Sequence, residues 1–407
     1  MKRNIALAAL VLVASLVPMA AASTVTQSQT TTQSTAQADA EAYSGSHVSF
    51  TSNGSAVTNY AIAGETVAST IEVQSQSEVR SNLGLGVRGD MDAMTSIRGA
   101  GLTMQSSASA QASIQANSGA RIQAHDHSHG TLVVEAEDSQ YVALGLNASS
   151  EAETESNQRV LVTTDSGTTA AVMVVGEGNV TVNDEGNVTA AVESESRLIV
   201  RSYSEARTED DEETEDLIVN GTAAAEVYVD EQDNEHVTGS VVYDANTSVT
   251  VDAESESSVN MTIDRSEHEG KVVIASASQF DAESTEDVTV RVDGEVAAAA
   301  SSYSELRAAS DNGSTSKYMV RNSASAEADV LVAVNHFSER TVSMAEKQAD
   351  DGTSDSTDGD DSDTSDSTDG DSNGGVNTTS GNGPGFGVVS VLAAVVGLTG
   401  RAVYRKQ

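Results

Sequence analysis

Three histidines stand within five residues of the stretch AHDHSHG, at His125, His127 and His129. On a β-strand, positions i, i+2 and i+4 share one face at intervals of about 6.6 Å. Neutral imidazole is a good ligand for Zn, Cu or Ni. The spacing therefore makes these three the metal candidates of the chain, with Asp126 on the opposite face. A structural zinc site takes four ligands, and the remaining histidines, His47, His236, His268 and His336, are scattered. The competing reading is a solvated loop ahead of Gly130.

Nine positions match Asn-X-Ser/Thr: Asn53, Asn147, Asn179, Asn187, Asn220, Asn246, Asn260, Asn312 and Asn377. Several fall near expected turns, where a glycan would be accessible. The heptapeptide SDSTDGD, at 354–360 and 365–371, lacks the spacing and terminal Glu of an EF-hand loop. Arg88–Gly89–Asp90 is an isolated RGD tripeptide. No G-x-S-x-G, Walker loop or dinucleotide fingerprint occurs. The residues therefore point to no catalytic constellation and no cofactor, and the expectation is a protein that is not an enzyme.

The elements that position these residues are set in an unusual composition. The 407 residues carry 62 acidic against 21 basic side chains, a formal net charge of −41. That surface repels nucleic acid and anionic lipid. At molar salt the Debye length falls to about 3 Å and the self-repulsion is screened, so the chain reads as one built for brine, its order expected to need molar salt. Cysteine and tryptophan are absent, which removes disulfides, thiolate chemistry and Cys-ligated metals.

The first 22 residues, MKRNIALAALVLVASLVPMAAA, have a basic start, an apolar core and small residues at the end, the build of a secretory signal peptide. Residues 23–45 read as a Ser/Thr/Gln-rich stalk and 46–130 as a mixed, mainly β region. From 348 to 383 the chain is an Asp/Ser/Thr/Gly linker, extended by its own charge. Then follow Pro384–Gly385–Phe386, an apolar stretch from 387 to 400, and a basic end at Arg401, Arg405 and Lys406. As a helix those 14 residues span about 21 Å, short of the roughly 30 Å hydrocarbon core. A plain single-pass anchor with a proline at its edge is the alternative.

Together, the PGF tripeptide, the apolar stretch and the basic terminus over 384–407 resemble the PGF-CTERM sorting signal of archaeal surface proteins. The resemblance implies an archaeosortase-type enzyme that removes the tail, a lipid anchor in the cell membrane, and S-layer subunits as neighbours. It bears on the C-terminal 24 residues and says nothing of residues 23–347.

The middle, 131–347, repeats itself. SYSEAR (202–207) returns as SYSELR (302–307), NVTVNDEGNVTAA (179–191) resembles DVTVRVDGEVAAA (287–299), and LIVNGTAAAEVYV (217–229) resembles YMVRNSASAEADVLV (318–332). Weaker Ser-Glu copies at 150 and 255 suggest four units. Short Val/Thr-rich runs alternate apolar and acidic with Gly, Asn and Asp between them, which is the signature of strands. The expected fold is all-β, an elongated repeat architecture of either a β-solenoid or tandem small β-sandwiches.

These readings give an exported, glycosylated, membrane-held structural or interaction protein of the cell surface, associated with the envelope or S-layer. The alternatives are a surface module capturing a metal or ligand, and an anchored extracellular hydrolase.

Overall fold

The computed structural model describes residues 41–347, apart from 84–90, 92–93, 96, 109, 204–205, 233–234, 256–257, 278–284 and 323–327. The leader, the acidic linker, Arg88–Gly89–Asp90, Asn377 and the Pro384–Gly385–Phe386 segment lie outside these residues.

The fold is all-β, built from four largely antiparallel sheets of seven, eight, six and five strands. The seven-stranded sheet covers one face of the eight-stranded sheet, and their facing side chains form a core that includes Val57, Ile71, Ile114, Ile122, Val172 and Val200. The six- and five-stranded sheets pair in the same way around Val229, Ile263, Val273, Val290, Val332 and Met344. The result is two sandwiches and no solenoid. Strands on either side of residue 130 belong to the same sheets: Gln140–Gly145 returns to pair with Glu65–Ser75. Strand Glu41–Ser44, at the end of the expected stalk, edges the seven-stranded sheet.

A third core joins the sandwiches. Ala171, Met173 and Ile199 from the eight-stranded sheet share it with Tyr228, Ile274, Leu331 and Ala333 from the six-stranded one. These two inner sheets are thus covered on both faces. Strands buried on both faces lose alternation and read as continuous apolar runs, as TAAVMVV (Thr169–Val175) and RLIVRSY (Arg197–Tyr203) do. Alanines at the contact, Ala171, Ala223 and Ala333, are fully buried, and their small side chains let two sheets approach without aromatic fillers.

Two helices lie beside this inner layer, where the sequence reads as strand throughout. Helix α2 (Glu209–Val219) starts at Thr208, whose side chain accepts from the Asp211 N–H while Asp211 reaches back to the Thr208 N–H. That reciprocal cap satisfies two orphan donors, and Glu209, Asp210, Asp211 and Glu212 complement the positive end of the helix dipole. Helix α3 (Tyr303–Asn312) is capped by Ser302, which accepts from the Glu305 N–H. Leu217, Ile218, Leu306 and Ala309 carry both helices into the third core. A further helix, α1 (Gln76–Leu83), contributes Val79 to a small cluster with Tyr141 and Ala191.

The strongest repeat has a structural counterpart. Hairpins Gly178–Val182/Val188–Val192 and Val288–Val292/Glu295–Val296 each sit in an outer sheet. Each is followed by an inner strand and then by α2 or α3. The four-unit reading finds no such counterpart: Leu217–Ile218–Val219 is helical, while its supposed equivalents, 160–162, 272–274 and 318–320, are strands.

Because the third core is shared, the two sandwiches should unfold together. Leu331→Ala, which empties part of that core, is expected to cost about 2–5 kcal/mol. Calorimetry should show one transition moving down as a whole, not one half of a split endotherm.

Candidate functional site

The histidine stretch does not continue as a strand. Strand Arg121–His125 ends at its first histidine, and the chain then turns. The Gly130 N–H donates to the His127 carbonyl at 2.7 Å, and Gly130 adopts φ 45°, a left-handed conformation that suits glycine. The turn breaks the one-face geometry and drives all three imidazoles inward between the sandwiches.

His125 Nδ1 lies 3.4 Å from the Tyr228 hydroxyl, which donates to the Ala110 carbonyl at 2.8 Å. His127 stacks on Tyr228 with ring centroids 4.4 Å apart, and its Nε2 is 3.1 Å from Thr131 Oγ1. His129 meets Tyr203 edge-on at 5.8 Å. Among the described residues, no group of three His, Cys, Asp or Glu is placed to hold a metal ion. His125, His127 and His129 therefore have the surroundings of a packed polar core, not of a metal centre. Asp126 does not face solvent: its carboxylate accepts N–H bonds from Ser46, His47 and Val48 at 2.7, 2.8 and 2.7 Å. A side chain at Gly45 would collide with that carboxylate.

Beside the histidines is a buried ionic cluster. Arg201, on an inner strand of the first sandwich, pairs through Nη1 with Glu226 on an inner strand of the second, and both are fully buried. Tyr243 donates to Glu226 at 2.5 Å, and Ser276 donates to Asp329 at 2.5 Å. Arg321 pairs with Asp211 of α2. Glu215, also on α2, accepts from Tyr203 at 2.7 Å and pairs with Arg207 at 2.7 Å. Burial pushes Glu226 upward, but Arg201 outweighs it and holds the carboxyl below its usual range. Burial wins at Asp329 and raises it. Burial, reinforced by Arg201, holds His127 and His129 neutral.

An open cleft of about 440 Å³ lies on the first sandwich where three turns meet, with Ala245 from the second at its rim. Gln115, Gly119 and Arg121 come from one hairpin, Glu135 and Glu137 from the strand end Leu132–Glu135 and beyond, and Glu195 from the turn before Arg197. Glu195 is held at φ 63°, a left-handed conformation that costs a non-glycine residue about 1–2 kcal/mol. Such strain concentrates at functional sites. Arg197, buried behind the cleft, donates to Glu135 at 2.9 Å, leaving its Nη1 without a partner. Gln140 donates to the Ser118 carbonyl at 3.0 Å, while Gln140 Oε1 and Ser118 Oγ are also buried without a partner. No sequence motif marks this cleft, because its residues come from separate turns up to 130 positions apart.

Of the sequon asparagines, Asn53, Asn147, Asn179, Asn220, Asn246 and Asn312 are exposed, whereas Asn187 and Asn260 are half-buried. Asn187 Oδ1 accepts from the Leu146 N–H at 2.9 Å. Among the described residues no helix is long and apolar enough to cross a membrane.

No family model matches this chain, and no curated protein matches it either. Among solved structures, a glycoside hydrolase of family 81 from Clostridium thermocellum shows a likeness with TM-score 0.33 and 10% identity, over 75% of this chain and 35% of that one. This chain thus spans about a third of the length of that protein. That neighbour is described as a glycoside hydrolase, and the fold of this chain is a pair of sandwiches that carries an open cleft. The expectation of a structural protein of the cell surface is corrected accordingly. A likeness this distant supplies no argument for hydrolysis by this chain.

The buried histidines make stability depend on pH. Burial holds His125 at about 4 against an ordinary value of 6.5. Between those values the unfolded chain binds a proton at His125 that the folded chain refuses, so this residue's contribution to stability falls as pH drops from 6.5 to 4, and His127 and His129, held well below their ordinary value, carry the fall further. For His125 the loss is about 3 kcal/mol. Denaturant midpoints at pH 7, 5.5 and 4 in molar salt should fall in that order, and His125→Gln should make the fall shallower without abolishing it, since His127 and His129 remain.

Proposed function

We propose that this chain is an exported ligand-binding module held at the cell surface, with its ligand in the cleft formed by Gln115, Arg121, Glu135, Glu137 and Glu195. The observation that carries the reading is the coincidence, at one open cleft, of a left-handed backbone at Glu195 and buried polar groups left unpaired behind it. Folding tolerates such costs where another interaction requires them. Carboxylates accept hydrogen bonds and the Arg121 side chain donates them, so the cleft suits a hydroxyl-rich ligand such as an oligosaccharide.

The surface location rests on the leader at 1–22, the acidic linker and the PGF segment, with an archaeosortase-type enzyme and the membrane as partners. Exposed sequons on the turns support glycosylation there. Mass spectrometry of the native protein should find no peptide beyond Phe386 and a lipid on the new C-terminus. Recovery of GVVSVLAAVVGLTGR would replace this with a plain anchor.

For the cleft, immobilised neutral and acidic oligosaccharides in molar KCl are the probe. Wild type should retain at least one class, and Glu195→Gln should weaken that binding about tenfold or more, the effect of losing a hydrogen bond to a charged group. Equal binding by both proteins, or none by either, would remove the cleft as the site.

A further inference from the structure

We infer that the buried layer between the two inner sheets holds a small anion, a halide, on the free edge of Arg201. A guanidinium offers two distinct edges. The Nη1 end of Arg201 is engaged by Glu226, with Tyr243 at 3.5 Å. The opposite edge, where the Nε–H and one Nη2–H point the same way, is the fork that grips anions in planar recognition. Both nitrogens are buried and have no partner.

Arg201 is the largest fully buried side chain among the described residues, so solvent does not reach that fork from outside. His129 lies close by, since its ring and the Arg201 guanidinium both flank Tyr203, at 5.8 and 6.0 Å from the ring centroid. His129 Nε2 is likewise buried and unpartnered, as is His127 Nδ1. In the tautomer with hydrogen on Nε2, His129 adds a third donor. In that tautomer the donors left over at His129 and Arg201 outnumber the orphaned carboxylate oxygen of Asp329 among the described residues.

Leaving a buried donor unsatisfied costs about 1–3 kcal/mol, and a species that only accepts hydrogen bonds would satisfy several at once. A halide has that property and is small enough for an enclosed layer. The brine suggested by the −41 net charge would supply it at high concentration. The halide would stand against the Arg201 guanidinium, and burial favours the neutral form of Asp329, so that no second carboxylate competes for the free edge.

The test is thermal unfolding at fixed molar ionic strength, with potassium chloride progressively replacing potassium glutamate, whose anion is too large to enter. The melting temperature should rise with the logarithm of chloride concentration, as binding linkage requires. A double variant, Arg201→Met with Glu226→Met, leaves no uncompensated charge and should lose that dependence while keeping the general salt response. Crystals grown from bromide give a check that needs no variant: an anomalous peak within about 3.5 Å of Arg201 Nε and Nη2. A peak without anomalous signal, meaning water alone, or equal chloride dependence in both proteins, would overturn the assignment.

Discussion

An arginine and a glutamate facing each other across two inner sheets set a condition that the rest of the fold meets. Moving each ion out of water costs several kcal/mol, and their attraction offsets that only with good geometry and further hydrogen bonds. Arg201 and Glu226 have both in part: Tyr243 caps the carboxylate and Ser276 stands at 3.4 Å. The pair therefore adds little net stability, and its effect is on register. A slip by one residue would turn Arg201 to the other face of its strand, among Leu198 and Val200. There it would be a charge without a partner, so the sheets have one way to face each other.

That constraint explains where the charge of the chain can go. The inner strands leave no room for acidic residues beyond the paired ones, so the excess falls on edges, turns and helix starts. Edge strand Glu151–Ser156 is largely exposed and carries Glu151, Glu153 and Glu155, a common defence of an open sheet edge. The first turn of α2 collects four acidic residues, where the helix dipole favours them. Acidity here is spent locally on solubility and capping, and the cores are left to Val, Ile and Ala.

Much of this was legible in the sequence, for identifiable reasons. Alternation in half-buried strands such as Ser258–Arg265 reports one wet face and one dry one. The 202/302 repeat is matched in part: Tyr203 ends strand Arg197–Tyr203 ahead of α2, whereas Tyr303–Arg307 already lies inside α3. The helices themselves were readable from Thr208 with Asp211 and from Ser302 with Glu305, each a capping residue followed three positions later by an acid. Strand-like surroundings and the apolar triplet at 217 obscured them. The histidines were misplaced for a local reason: one glycine at 130 converts a strand into a turn, and with it a surface row into a buried cluster. Arg201 and Glu226 could not be paired by any spacing, since they belong to different sandwiches.

The cleft and the ionic layer show opposite ways of handling polar groups. In the layer, each charge has at least one partner, and Arg201 keeps a free edge only because its other edge is fully engaged. At the cleft, Glu195 bends its backbone to stay at the rim, and Arg197 meets Glu135 with half of its guanidinium unanswered. The layer has loose ends of its own on Arg201, His127 and His129, which only a buried occupant can complete. A surface can keep them, because water or a ligand completes what the chain leaves open. The fold thus separates the two demands: the middle layer fixes the relation of the sandwiches, and the turns at one end of the first remain free to bind.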